Sequence, residues 1–154
     1  MVDINGKRLL ERIRELGNIG IDAEGRRTRL AASDADKQGR DLVVSWMKEA
    51  GLKVVVDYVG NIFGIWETPE NCGEKPFMTG SHIDTVINAG QYDGCMVSGA
   101  GQDSQMMARL CPTAMIFSPS VNGISHNPKE YTKDEDVVKC ANVFLDVVLE
   151  LANK

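Results

Sequence analysis

The sequence predicts a single α/β domain with helices packed on a mixed sheet. Helical apolar stripes and short β-rich runs alternate loosely along the chain, the pattern that layered α/β architectures produce. A length of 154 residues suits one hydrophobic core. A hydrophobic content of 43% beside 25% charged residues places the chain among ordinary soluble globular proteins.

Asn5 is a cap for a first helix that ends at Gly17, with Leu9, Leu10, Ile13 and Leu16 on one stripe. Residues 18–32 are rich in Gly and Arg and read as a long surface loop, a kind of segment often tied to function. Ser33 caps a second helix running to residue 50, and Gly51 terminates it. Its Leu42, Val43, Trp46, Met47 and Ala50 are packing residues. Two strands follow, 53–59 and 62–67, joined as a hairpin at Gly60-Asn61. Residues 68–75 are a polar loop, and Pro76-Phe77-Met78-Thr79 reads as the end of a further strand.

Beyond Gly94, the pair Gly99 and Gly101 lacks the third glycine and the preceding strand of a dinucleotide fingerprint. A short helix over residues 103–110 is stopped by Pro112, residues 114–117 form a short buried strand, and residues 123–126 are a loop. Thr132-Lys133-Asp134-Glu135 has the spacing of a capping box. It opens a helix to residue 152 that buries Val137, Ala141, Phe144, Leu145, Val148 and Leu151. The acidic residues at its start suit the helix dipole. No internal repeat is visible.

The formal net charge of −5 gives no electrostatic footprint for nucleic acid. The one basic cluster, Arg26-Arg27-Thr28-Arg29, reads as a solvated loop or a salt-bridge site. No apolar run reaches transmembrane length. The N-terminus lacks the basic-then-apolar pattern of a secretory leader, which predicts a cytoplasmic protein. Cys72, Cys95, Cys111 and Cys140 form no Cys-x-x-Cys pair and are expected as free thiols.

The richest chemistry lies in Gly80-Ser81-His82-Ile83-Asp84-Thr85, followed by Tyr92-Asp93-Gly94. In extended backbone, His82 and Asp84 point to one face, and Asp93 can return to it after the small residues Asn88-Ala89-Gly90. Imidazole with carboxylates at a strand end is the donor set of a zinc-type site: the neutral ring nitrogen binds the ion, and a carboxylate binds it or orients the ring. The second of only two histidines, His126, sits in Gly123-Ile124-Ser125-His126. On spacing alone, His-x-Asp is more often the pattern of a surface or hydrogen-bonded histidine. Glu67, Glu70 and Glu74 read as solvated, and Cys95 as a free or buried thiol rather than a nucleophile.

The chain resembles the allantoate and N-carbamoyl-L-amino-acid amidohydrolases, a beta-ureidopropionase-like branch of the dinuclear zinc-dependent exopeptidase superfamily. The resemblance rests on Ile4-Asn5-Gly6, Thr28-Arg29-Leu30, Trp46-Met47-Lys48-Glu49-Ala50-Gly51-Leu52 and Asp57-Tyr58-Val59-Gly60-Asn61-Ile62-Phe63-Gly64. It continues through Thr79-Gly80-Ser81-His82-Ile83-Asp84-Thr85-Val86 and Tyr92-Asp93-Gly94. After the join come Ser98-Gly99-Ala100-Gly101, Met107-Ala108, Pro112-Thr113-Ala114-Met115-Ile116-Phe117 and Gly123-Ile124-Ser125-His126. Residues 1–94 resemble the N-terminal block of such an enzyme and residues 98–154 its C-terminal block. The middle of the sheet and the lid and dimerisation domain have no counterpart, so a shortened zinc-exopeptidase-like catalytic domain is implied.

The resemblance implies His82 as a ligand of one metal, Asp93 as the bridging carboxylate, His126 as a ligand of the other metal, and Asp84 as the catalytic-site carboxylate that fixes the tautomer of His82. The general-base glutamate and the remaining Glu and His ligands are missing. Gln102 stands where the family has His, and Ala89-Gly90-Gln91 replaces Gly-Gly-Arg. The implied cofactor is a divalent metal (Zn, Mn or Co), as one ion rather than two, held by His82, Asp93, His126 and a water. The implied reaction is hydrolysis of a ureido or amide C–N bond of a small molecule, in which metal ions lower the pKa of a bound water and the glutamate takes its proton. Without the base, activity is expected to be weak or absent. Three alternatives remain open at this point: a shortened family member with weak activity, a non-catalytic metal- or partner-binding remnant, and a deletion product. Removing central strands exposes sheet edges, so either self-association or a locally rearranged sheet is expected, without nucleic-acid or membrane partners.

Overall fold

The computed structural model describes residues 2–83, 103–124, 127 and 129–153. Its elements are α1 (Gly6–Gly17), α2 (Asp34–Glu49), β1 (Lys53–Val56), β2 (Ile62–Ile65), α3 (Asp103–Met107), a 3-10 turn at Val121–Gly123, and α4 (Asp134–Ala152). The fold is a small α/β one, with α2 packed against a short, open two-stranded sheet. The chain divides into two compact units: residues 12–87, and residues 1–11 with 88–154.

In the first unit, the end of α1 runs into a tightly bonded loop. Asp22 organises it by accepting from the Glu24 and Arg26 backbone N–H groups at 3.0 and 2.8 Å. Ile21 and Arg27 form an isolated antiparallel bridge, and the Thr28 N–H donates to Gly20 O at 2.8 Å. Gly20 is required there: its φ is 84°, and a Cβ would press on the Thr28 carbonyl oxygen. α2 then starts as the sequence predicts. Ser33 Oγ accepts from the Asp36 N–H at 3.1 Å, and Asp36 Oδ2 accepts from the Ala32 N–H at 3.0 Å. The helix ends at Ala50, with Gly51 at φ 77°.

β1 and β2 pair antiparallel, Lys53 opposite Ile65 and Val56 opposite Ile62. The hairpin is as expected, but both strands are shorter than the apolar runs that predict them. Asp57 takes over at the end of β1: its Oδ1 accepts from the Val59 and Asn61 N–H groups at 3.0 and 2.8 Å, and its Oδ2 from Asn61 Nδ2 at 2.8 Å. The connection is therefore an Asp-centred loop over 57–61, not a two-residue Gly-Asn turn. Arg40 Nη2 on α2 donates to Gly60 O and ties the helix to the hairpin tip. Met47 and Leu52 lie against Gly64, where an added Cβ would meet them at 3.1 and 2.9 Å. Arg12 lies 5.1 Å from the centroid of the Trp46 ring and bonds Glu49 at 3.0 Å.

In the second unit, α1 begins as predicted, with Asn5 Oδ1 accepting from the Arg8 N–H at 3.0 Å. The Ile4 N–H donates to Asn142 Oδ1 on α4 at 2.9 Å. α3 is shorter than expected, ending at Met107, and hydrogen-bonded turns carry the chain to Cys111 ahead of Pro112. α4 begins one residue later than the capping-box spacing predicts. Lys133 is its N-cap, without a side-chain cap bond, which leaves Thr132 outside the helix with its Oγ1 buried and unbonded among the described residues. Val137, Val138, Ala141, Leu145 and Val148 are half-buried, while Val143, Phe144, Val147, Leu149 and Leu151 are exposed.

Residues 76–79 and 114–117 are not strands. A strand is made by its partner's hydrogen bonds. Among the described residues, β1 and β2 are the only pair. Phe77, Met78, Met115 and Ile116 are exposed. The sheet described here is antiparallel, and no apolar side chain among the described residues is fully buried. Cys72, Cys111 and Cys140 are free thiols.

Candidate functional site

Of the four site residues, the structure describes His82. Asp84, Asp93 and His126 lie outside the described residues, as do Gln102, Cys95 and the segment 89–91. His82 is exposed, in a stretch after β2 without regular secondary structure. The residue after it is anchored: Arg29 Nε donates to Ile83 O at 2.7 Å.

That anchor is built from well-separated parts of the sequence. Arg29 is 4% exposed. Its Nη1 donates to Leu16 O at 3.0 Å, at the end of α1, and to Ile19 O at 2.9 Å. Leu16 O also accepts from the Ile19 N–H at 3.2 Å, so Arg29 fastens onto the turn that ends α1. Gly39 on α2 makes room, since a Cβ there would stand 2.9 Å from Arg29 Cδ.

The basic cluster expected as a solvated loop therefore divides. Arg26 behaves so, pairing with Asp22 at 2.7 Å and Glu24 at 2.9 Å. The Arg26 backbone N–H and then its side chain hold the Asp22 carboxyl below the ordinary carboxylate range. Arg29 is instead buried beside the site. The sequence carries no signal that separates Arg29 from its cluster, because its acceptor Ile83 O lies 54 residues further on.

The described residues on either side of the second histidine are hydrogen-bonded. The Val121 N–H donates to Tyr131 O at 2.8 Å, and the 3-10 turn beside it carries Asn122 at φ 60°. The Lys129 N–H donates to Asn127 Oδ1 at 2.9 Å, an Asx turn. Glu67, Glu70 and Glu74 are exposed. A hydrogen bond from the Thr68 side chain holds the Glu70 carboxyl below its ordinary range, which favours a charged, solvated group there. Among the described residues, no group of three or more His, Cys, Asp and Glu side chains is arranged to hold a metal ion. No helix among them is long and apolar enough to cross a membrane.

Residues 83–150 match the family model for peptidase family M20/M25/M40. A probable allantoate deiminase from Oryza sativa subsp. japonica is 45% identical over 85 residues, which is 55% of this chain and 17% of that protein. An N-carbamoyl-L-amino-acid amidohydrolase from Pseudomonas sp. (strain NS671) is 42% identical over 139 residues, 88% of this chain and 32% of that protein. Among solved structures, a hydantoinase/carbamoylase family amidase from Burkholderia ambifaria superposes with a TM-score of 0.55 at 36% identity, over 60% of this chain and 23% of that one. The chain thus spans less than a third of the length of the two relatives named. Over that part of their length, it is homologous to the allantoate and N-carbamoyl-amino-acid amidohydrolases of the M20 peptidase superfamily.

Proposed function

We propose that the chain is a metal-dependent amidohydrolase-family protein whose kin hydrolyse ureido or amide C–N bonds of N-carbamoyl amino acids or allantoate, and that it has little or no such activity as it stands. The 42% identity over 139 residues to an N-carbamoyl-L-amino-acid amidohydrolase carries this proposal, because it runs through most of the chain. His82, Asp93 and His126 would hold one divalent ion (Zn, Mn or Co), and Asp84 would orient the His82 ring. Bound there, the ion would supply a Lewis acid that acidifies water. The family's general-base glutamate has no counterpart in the sequence motifs, and Glu67, Glu70 and Glu74, which are exposed, read as solvated groups. Losing a general base costs about 10²–10⁴-fold in rate.

On this proposal, residues 1–94 and 98–154 are the N- and C-terminal blocks of one catalytic-type domain without its lid. The alternative is a non-catalytic metal- or partner-binding remnant. It draws support from the exposed apolar residues of α4, which also favour association with a second copy.

The test is metal content and affinity of the purified protein beside His82→Ala and His126→Ala. It is joined to hydrolysis assays on allantoate and N-carbamoyl-L-amino acids with added zinc, manganese or cobalt. One bound ion, lost in both variants, with barely detectable turnover is the expected result. Wild-type binding in both variants would overturn the ligand assignment.

A further inference from the structure

We infer that Arg29 is a positioning residue for the His82 site, holding the backbone at Ile83 and so setting where the His82 ring stands toward a divalent ion. This rests on the metal-site proposal above, but it is argued from different atoms.

The Arg29–Ile83 bond, 2.7 Å long, joins residues 54 apart in sequence. The other described bonds of the same guanidinium, to Leu16 O and Ile19 O, fasten it to the end of α1. A planar fork with five N–H donors can serve all three carbonyls at once, whereas a compact ammonium cannot reproduce that geometry. Burial at 4% exposure removes competing water, so the bonds hold their partners tightly. His82 itself is exposed, and its neighbour's carbonyl is held by a buried side chain. The ring therefore projects from an anchored backbone and not from a free loop. Groups one step removed from a metal commonly change its affinity by 10–100-fold when altered, because they set the ligand's orientation. Gly39 completes the arrangement: α2 comes close to the Arg29 side chain only because a Cβ is absent, with Cδ 2.9 Å from where it would stand.

Two variants of the full chain test this. Arg29→Lys keeps the charge and loses the fork. Gly39→Ala keeps the guanidinium and displaces it, while favouring the helix that carries it. Melting curves and far-UV circular dichroism report folding, zinc and cobalt titrations report affinity, and imidazole NMR reports the ring. The chain has two histidines, so two ring signals are expected, assigned with His82→Gln and His126→Gln.

The expected result is a shifted or broadened His82 ring signal in both variants, the His126 signal unmoved, and metal affinity lowered about 10-fold or more. Folded variants with unchanged His82 signals and wild-type affinity would overturn the inference. If Arg29→Lys fails to fold, Gly39→Ala decides on the same signals. If the wild type binds neither metal, the metal proposal fails by itself, and the His82 ring signal alone decides the role of Arg29.

Discussion

In residues 12–83, polar side chains close the backbone at several junctions. Ser33 and Asp36 hold the head of α2, Arg29 joins the end of α1 to Ile83, Arg40 reaches the hairpin tip, and Asp57 organises the turn. α4 is built differently. It starts at Lys133 without a side-chain cap, is tied by Asn142 to the Ile4 N–H and by Cys140 Sγ to Phe117 O, and leaves Phe144, Leu149 and Leu151 exposed. The contrast separates two sources of order. Directional bonds at junctions specify a local structure even where no apolar side chain is fully buried. An apolar stripe specifies a helix but needs a covering surface to fix its place.

Four measurements would break or sharpen that contrast. The largest effect is expected for Gly20→Ala, which puts a Cβ against the Thr28 carbonyl at φ 84°. Strained backbone alone costs about 1–3 kcal/mol, and the contact adds to it. A drop in urea midpoint at unchanged slope is the expected reading, and a wild-type midpoint would show that the loop yields easily.

Next is Asp36→Ala, which removes the acceptor of the Ala32 N–H at a residue 7% exposed. A loss of about 1–2 kcal/mol is expected. An unchanged melt would mean that capping does not hold α2.

Lys133→Ser should act in the other direction. It gives α4 the side-chain acceptor its N-cap lacks, at a backbone of φ −65° and ψ 141°. Stabilisation by about 0.5–1 kcal/mol is expected, seen as slower amide exchange in the first turn of α4. No change there would mean that the exposed apolar face, not the cap, limits the helix.

The smallest effect is pH-dependent and local to the hairpin. The Asn61 side-chain bond, helped by backbone N–H groups, holds the Asp57 carboxyl below its ordinary range. A lowered folded-state pKa stabilises above the unfolded value of about 4. That contribution is lost as pH falls through the lower folded value. The Val59 and Asn61 amide signals should move together in acid, and Asp57→Asn should abolish the transition. An acid shift that survives the substitution would assign it to another carboxylate.

How far the sequence speaks follows the same division. Caps that depend on one residue's own side chain were legible: Asn5 and Ser33 as helix starts, Gly51 as a stop. Features that depend on a distant partner were not. The run 76–79 has a strand's composition but no described neighbour to pair with, and Thr132 fits the capping-box spacing while Lys133 takes the cap. Arg29 was hidden for a related reason. In sequence it belongs to a basic cluster, and only the return of the chain to Ile83 shows its acceptor. Of the residues the sequence singles out for the site, His82 is described and exposed, while Asp84, Asp93 and His126 lie outside the described residues.

The bond from the Val121 N–H to Tyr131 O joins the described residues that flank the segment 122–130. A loop whose ends are already joined behaves as a cassette. Its interior can be lengthened or exchanged while the frame around it keeps its geometry, and doubling a flexible loop costs only about 0.6 kcal/mol in closure entropy. At the described positions Asn122 and Lys129, exchanges are therefore expected to leave the Val121–Tyr131 bond in place.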